Sequence, residues 1–64
     1  MKFIRIKQVA EMTSLAQSSI YRLVKEGKFP KQVKIAERSA RWIESEVLDY
    51  INKKIEDRDR FRNL

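Results

Sequence analysis

The chain has 64 residues, fifteen Lys and Arg against nine Asp and Glu, and a formal charge of +6 with a pI near 10.0. It has no cysteine and no histidine, which removes disulfides, thiolate metal sites, the commonest zinc ligand and the commonest general base. No apolar run approaches the roughly 20 residues that span a bilayer, and "MKFIRIKQ" lacks the pattern of a signal peptide.

A soluble, cytoplasmic single domain is expected over residues 1–64, with its core in about 3–55. Such a short chain buries only about 60% of the surface its unfolded form exposes, so the core must be small.

"FIRI" (Phe3 to Ile6) predicts a short strand, with Ile4 and Ile6 on one face and Arg5 on the other. A short helix follows over about Lys7 to Met12, carried by Val9 and Met12, and Thr13 and Ser14 break it. The second helix spans Gln17 to Glu26, with Ile20, Leu23 and Val24 as its buried stripe. Gly27 is the residue expected just past a helix end, where the backbone turns left-handed. Pro30 keeps Phe29 extended and stops the helix from resuming.

"KQVKI" and "RWI" alternate as strands, and "AERSA" links them into a hairpin. Val33 and Ile35 share one side of it and Lys34 takes the other. Ser45 is the expected N-cap of a third helix starting near Glu46 and carried by Val47, Leu48, Ile51 and Ile55. Residues 56–64 either prolong that helix or fray. Trp42 is predicted as a core anchor, and Phe3, Phe29 and Tyr50 as core or core edge.

This order of strand, helix, turn, helix, hairpin and helix describes a mainly α fold with a small β-hairpin, a winged helix-turn-helix. The charge is concentrated in its second half-motif. From Arg22 to Arg41 seven bases face two acids, a net of +5, while the other residues together carry +1. An anionic partner is expected, and duplex DNA fits first.

The residue types agree with that partner. With the apolar stripe of the second helix inward, Ser18, Arg22 and Lys25 centre the outer face and Ser19 and Tyr21 flank it. Arg22 can donate twice to a guanine, and Gln17 can pair with adenine. Ser18, Ser19 and the Tyr21 hydroxyl can reach phosphates or bases, Lys25 suits a phosphate, and the helix start itself favours one. At the hairpin tip, Arg38 can enter a narrow minor groove. Lys31, Lys34 and Arg41 can neutralise backbone phosphates, and Lys28 belongs to the same basic run.

No cofactor is expected. Glu44 and Glu46 are paired only in sequence, and no Gly-rich phosphate loop or metal-ligand cluster occurs, so the sequence predicts no enzyme. Two other classes compete with DNA binding. A protein-interaction module would set the basic face on an acidic partner such as an integrase or polymerase subunit. RNA binding lacks the surface aromatics that stack on single strands.

With these residues in view, the chain resembles the AlpA family of prophage and mobile-element regulators, grouped with excisionases and MerR-like winged helix-turn-helix proteins. "SSIYRLVKEGKFPKQVKI" (Ser18 to Ile35) and "RSARWIESEV" (Arg38 to Val47) carry the resemblance, and "IRIKQVAEMTSLAQ" extends it. It covers about Ile4 to Ile51. It implies a transcription regulator, a recombination directionality factor acting near an attachment site with an integrase, or both.

The resemblance places the family's recognition helix on Gln17 to Glu26, with Tyr21 and Arg22 at its matching positions, and the wing on Lys34 to Arg41. The chain departs from the pattern at four places. Ser14 stands where the family usually has glycine, Ala16 where a Ser precedes the helix, Gln17 where a base is common, and "AER" where the wing tip has glycines. Thr13 or Ser14 is then the hydroxyl left to cap the helix.

A single such module buries only about 600–1,000 Å² of protein surface on DNA. A dimer or a cooperative multimer on adjacent sites is therefore expected, with residues 53–64, including Phe61 and Leu64, as its contact.

Overall fold

The computed structural model describes the backbone of residues 1–62 and the side chains of residues 1–60. Six elements follow one another: β1 (Phe3–Ile4), α1 (Ile6–Thr13), α2 (Gln17–Lys25), β2 (Val33–Ala36), β3 (Ser39–Ile43) and α3 (Glu44–Arg62). The three strands form one antiparallel sheet in the order β1-β3-β2. The α1–α2 pair and the start of α3 close over β3, and the β2–β3 hairpin stands out as a wing. This is a winged helix-turn-helix.

Among the described residues the core is six side chains: Ile4, Val9, Ile20, Phe29, Trp42 and Val47. Every element except β2 donates one, and Phe29 comes from the connection between α2 and β2. Trp42 is the largest, is 1% exposed, and satisfies its indole N–H on the Pro30 carbonyl at 2.9 Å. It is the core anchor expected of it. Burying a ring this size removes 150–250 Å² from water, and its hydrogen bond avoids the cost of an orphaned donor. Phe29 and Tyr50 pack ring to ring at 4.5 Å.

The stop after α2 is a complete Schellman arrangement. The Glu26 N–H donates to the Arg22 carbonyl, Gly27 to Val24 at 3.0 Å, and Lys28 to Leu23 at 2.8 Å. Gly27 has φ +75°, the left-handed backbone expected of it, which glycine adopts without strain. Glu26 is the C-cap rather than the last helical residue. The chain turns at Gly27, and Phe29 falls into the core.

The structure corrects five sequence expectations. β1 ends at Ile4, and Ile6 opens α1 instead of extending the strand. There the Gln8 Oε1 accepts the Arg5 N–H at 3.0 Å, holding the helix start one residue earlier than predicted. Phe3 is not core: it is 43% exposed, because it alternates with the buried Ile4 on a strand paired along only one edge.

The hairpin link is two residues rather than five. Ala36 pairs with Ser39, leaving Glu37 and Arg38 as the tip. Neither tip residue has positive φ, so the mirror-image turns usual in tight hairpins are ruled out. A bulge between Lys34 and Ala36 takes up the mismatch and breaks the simple alternation of Val33 and Ile35.

The cap of α3 differs as well. The helix follows β3 directly at Glu44, whose N–H donates to the Lys2 carbonyl at 2.8 Å, so Ser45 lies in the first turn. Finally, neither Thr13 nor Ser14 caps α2. The Thr13 hydroxyl donates back to the Val9 carbonyl at 2.8 Å and accepts the Leu15 N–H, closing the turn itself.

Candidate nucleic-acid interface

The turn between the two helices sets the angle of α2. Three residues, Ser14 to Ala16, separate α1 from α2. Ser14 takes φ +60° and donates its N–H to the Ala10 carbonyl at 2.8 Å. The short polar side chain of serine tolerates this left-handed conformation at a cost of about 1–2 kcal/mol. Ala16 then stands at the N-cap with no side-chain oxygen to offer. The first backbone bond into α2 is Ile20 N–H to the Ala16 carbonyl at 3.1 Å, so the preceding N–H groups face outward at an exposed helix start.

Nine residues make α2 about 13.5 Å long at 1.5 Å each. Ile20 is fully buried, and Leu23 and Val24 are half-buried beside it, as their spacing predicts. Ser18, Arg22 and Lys25 then share the opposite face, four and three residues apart, and all are exposed. Gln17 is exposed in the first turn, while Ser19 is half-buried on the flank.

Tyr21 joins α2 to the sheet. It is 47% exposed, and its ring lies 6.0 Å from that of Trp42, tilted by 56°. Its inner edge is packed on the core, and the rest of the side chain remains in solvent. A tyrosine so held presents its hydroxyl with little rotamer freedom left to lose.

Strand register sorts the wing into two faces. Lys34 pairs with Ala40, and Ala40 lies two residues from Trp42, so all three share one side of the sheet. That is the side Tyr21 packs on. The structure thus brings the Lys34 face and the outer surface of α2 to the same side of the molecule. Arg41 pairs with Val33 on the reverse side. It is half-buried, and its Nη1 donates to the Ala40 carbonyl at 3.0 Å.

The remaining bases are all exposed. Arg38 is exposed at the tip and Lys31 on the strand entry. Lys28 sits just past Gly27, 3.8 Å from Glu26 and largely exposed, a geometry worth little as an ion pair. Of the sequence candidates Arg41 falls on the opposite sheet face, and Lys31 lines a cleft with Val33, Glu46 and Asp49. Ala40 is absent from that candidate set, yet it lies beside Lys34; counting back by two from Trp42 finds it.

Among the described residues, no three potential metal ligands come together, and no helix is long and apolar enough to cross a membrane.

Comparison with known proteins agrees with this architecture. The family described as "Prophage CP4-57 regulatory protein (AlpA)" matches residues 2–55, which hold every element up to the middle of α3. The chain is also similar to "Uncharacterized protein ORF88" of Enterobacteria phage P4, with 34% identity over 59 residues, 92% of this chain and 67% of that protein. No solved structure matches. The fold, the junction and the sequence match place this chain in the AlpA family of prophage regulatory proteins.

Proposed function

We propose that this chain binds duplex DNA sequence-specifically, with α2 in the major groove and the wing on the neighbouring backbone and minor groove. The observation that carries the reading is the shared side of Arg22, Tyr21 and Lys34, fixed by the packing of Tyr21 on Trp42. The major groove, about 12 Å wide, admits a helix of this kind. Arg22 reads a guanine, Gln17 an adenine, and Ser18, Ser19, Tyr21 and Lys25 hold phosphates or base edges. The open N–H groups at the start of α2 favour a phosphate. Lys28, Lys31 and Lys34 neutralise the backbone and Arg38 enters the minor groove. Arg41 reaches a phosphate only from the reverse face of the wing.

In the cell the protein would work at the nucleoid as a transcription regulator or a recombination directionality factor beside an integrase. The position of its sites decides between them: sites at a promoter assign regulation, and sites beside an attachment sequence assign excision.

The test is retention of sheared host DNA by the purified chain, followed by binding to the enriched sequence at several salt concentrations. Five or six neutralised phosphates give a log–log salt slope near −5. Arg22→Ala should relax base preference by about 1–3 kcal/mol, whereas Lys31→Ala should weaken all sequences alike. Uniform retention, or Arg22→Ala with unchanged preference, rejects the assignment in favour of an acidic protein partner for the basic face.

A further inference from the structure

The sheet has a packed face and an open one. Ile4 and Trp42 are buried in the core with the helices, so the strand residues that alternate with them point away from it. Register puts Phe3 beside Ile43 and Val33 beside Arg41 on that outer face, and Ile43 and Arg41 are next neighbours on it along β3. None of the four is buried: Phe3 is 43% and Val33 36% exposed, and Ile43 and Arg41 are half-buried. The solvated face of an antiparallel sheet is ordinarily polar. Here three of these four paired positions are apolar.

The charges on the β1 and β3 side of this patch are basic. Arg5 follows Ile4 in extended backbone, φ −89° and ψ 163°, which returns it to the face of Phe3, and it is exposed. Arg41 uses one guanidinium N–H on the Ala40 carbonyl at 3.0 Å and keeps the rest of its donors. The carboxylate of Glu44, at the end of β3, lies 3.7 Å from Lys2. At the far edge the sign reverses, where Glu46 and Asp49 share a cleft with Lys31 and Val33.

We infer that this outer face docks an acidic amphipathic helix of a partner protein. Three strands about 4.8 Å apart make the face roughly 10 Å from β1 to β2, the width of one helix. An apolar stripe on that helix covers Phe3, Ile43 and Val33, and carboxylates on its flank meet Arg41 and Arg5. Aromatic and arginine side chains are the ones enriched where proteins dock. A nucleic-acid single strand fits less well, because it stacks successive bases on several rings and, among the described residues, this face offers Phe3 alone. The patch is small, so the contact is a transient one.

This surface is the reverse of the one that carries Lys34 and Tyr21. On the DNA-binding reading proposed above, on which this consequence rests, the partner is held while α2 and the wing occupy DNA. The dimer contact expected of Phe61 and Leu64 concerns side chains outside the described residues, and the docking face does not involve them.

The first experiment needs no DNA. The isotope-labelled full chain is titrated with a synthetic helical peptide of about 18 residues, with Leu at three- and four-residue spacing and Glu on the flanks, and the amide shifts are followed. Shifts should centre on Phe3, Arg5, Arg41 and Ile43. Phe3→Ser, at an exposed position, should keep the fold and weaken the peptide about ten-fold. Arg41→Glu should weaken it as much and turn the preference to a peptide with Lys in place of Glu. No shift up to millimolar peptide, or equal binding of the lysine peptide by the parent chain, overturns the proposal. So does an acidic peptide that shifts α2 and Lys34 instead. Tighter binding of a short oligothymidylate at the same amides overturns it in favour of a single strand. Shifts of these amides with the concentration of the chain alone overturn it in favour of a second copy.

The second experiment repeats the titration with the enriched duplex already bound, and the same shifts at the same peptide concentrations are expected. Displacement of either ligand by the other overturns simultaneous occupancy and leaves DNA recognition by α2 standing. A chain that binds no duplex sinks the DNA reading, while the peptide titration still decides the docking face.

Discussion

The junction after α2 and the wing strand β2 lie within ten residues of each other and are built in opposite ways. In the junction nearly every group has an internal partner: two Schellman bonds, a glycine at φ +75°, Phe29 5% exposed, and the Pro30 carbonyl held by Trp42. In β2 all four residues are exposed, and its only ladder is to β3, with a bulge at its centre. The junction therefore holds α2 at a set angle, and the wing supplies surface. Stability and binding capacity have been separated along the chain, and substitutions in the two regions should report different quantities.

The largest effect is expected at the anchor. Trp42→Ala removes the central ring, the bond to Pro30 and the support of Tyr21, and should cost about 3–5 kcal/mol. For a domain this small that is most of the folding free energy, so circular dichroism should show an unfolded or barely folded chain at 25 °C. A melting temperature within a few degrees of the parent would break the comparison at its root.

Gly27→Ala is the next test. Nothing lies within 4 Å of the added methyl, so the whole cost is backbone strain at positive φ. We expect a loss of about 1 kcal/mol, read as roughly 4–8 °C in the melting temperature. A neutral result would mean that the junction relaxes and does not fix the angle of α2.

The other end of the same helix offers a gain. Ala16→Ser supplies the missing N-cap oxygen and should raise stability by about 1 kcal/mol. It should also lower DNA affinity if the open N–H groups hold a phosphate, since the new hydroxyl competes for them. Thermal melts and titrations on one oligonucleotide separate the two effects, and a gain in both would remove the helix start from the interface.

The smallest stability effect belongs to the wing. Ile35→Ser, at an exposed bulge position, should change stability by no more than about 0.5 kcal/mol. Arg38→Ala should be as silent in a melt and still weaken DNA binding. A wing variant that unfolds the chain would show that β2 supports the core after all.

Much of this architecture is legible in the residues. Gly27, Phe29 and Pro30 predict the stop with its backbone conformation, because glycine and proline act through local geometry that no distant contact need supply. The spacing of Ile20, Leu23 and Val24 sorts α2 into a buried and an open face, which puts Arg22 and Lys25 outward by periodicity alone. Trp42 is an anchor for the same reason: alternation with Arg41 turns it inward.

What periodicity cannot carry is pairing between strands and the meeting of elements. The alternation of "KQVKI" is real, but the bulge at Ile35 arises from closing a two-residue tip without positive φ, a property of two strands together. Phe3 is apolar and reads as core or core edge; it pairs with Ile43 on an edge strand and is 43% exposed. Likewise Lys34 and Arg41 are equivalent as charges, and only register places one on the sheet face that Tyr21 packs on and the other on the reverse face. The sequence by itself determined the helices, their stop and the sign of the surface, because those follow from short-range geometry and composition. The tertiary structure decided which of the basic side chains share a side, because that depends on how separate strands come into register around Trp42.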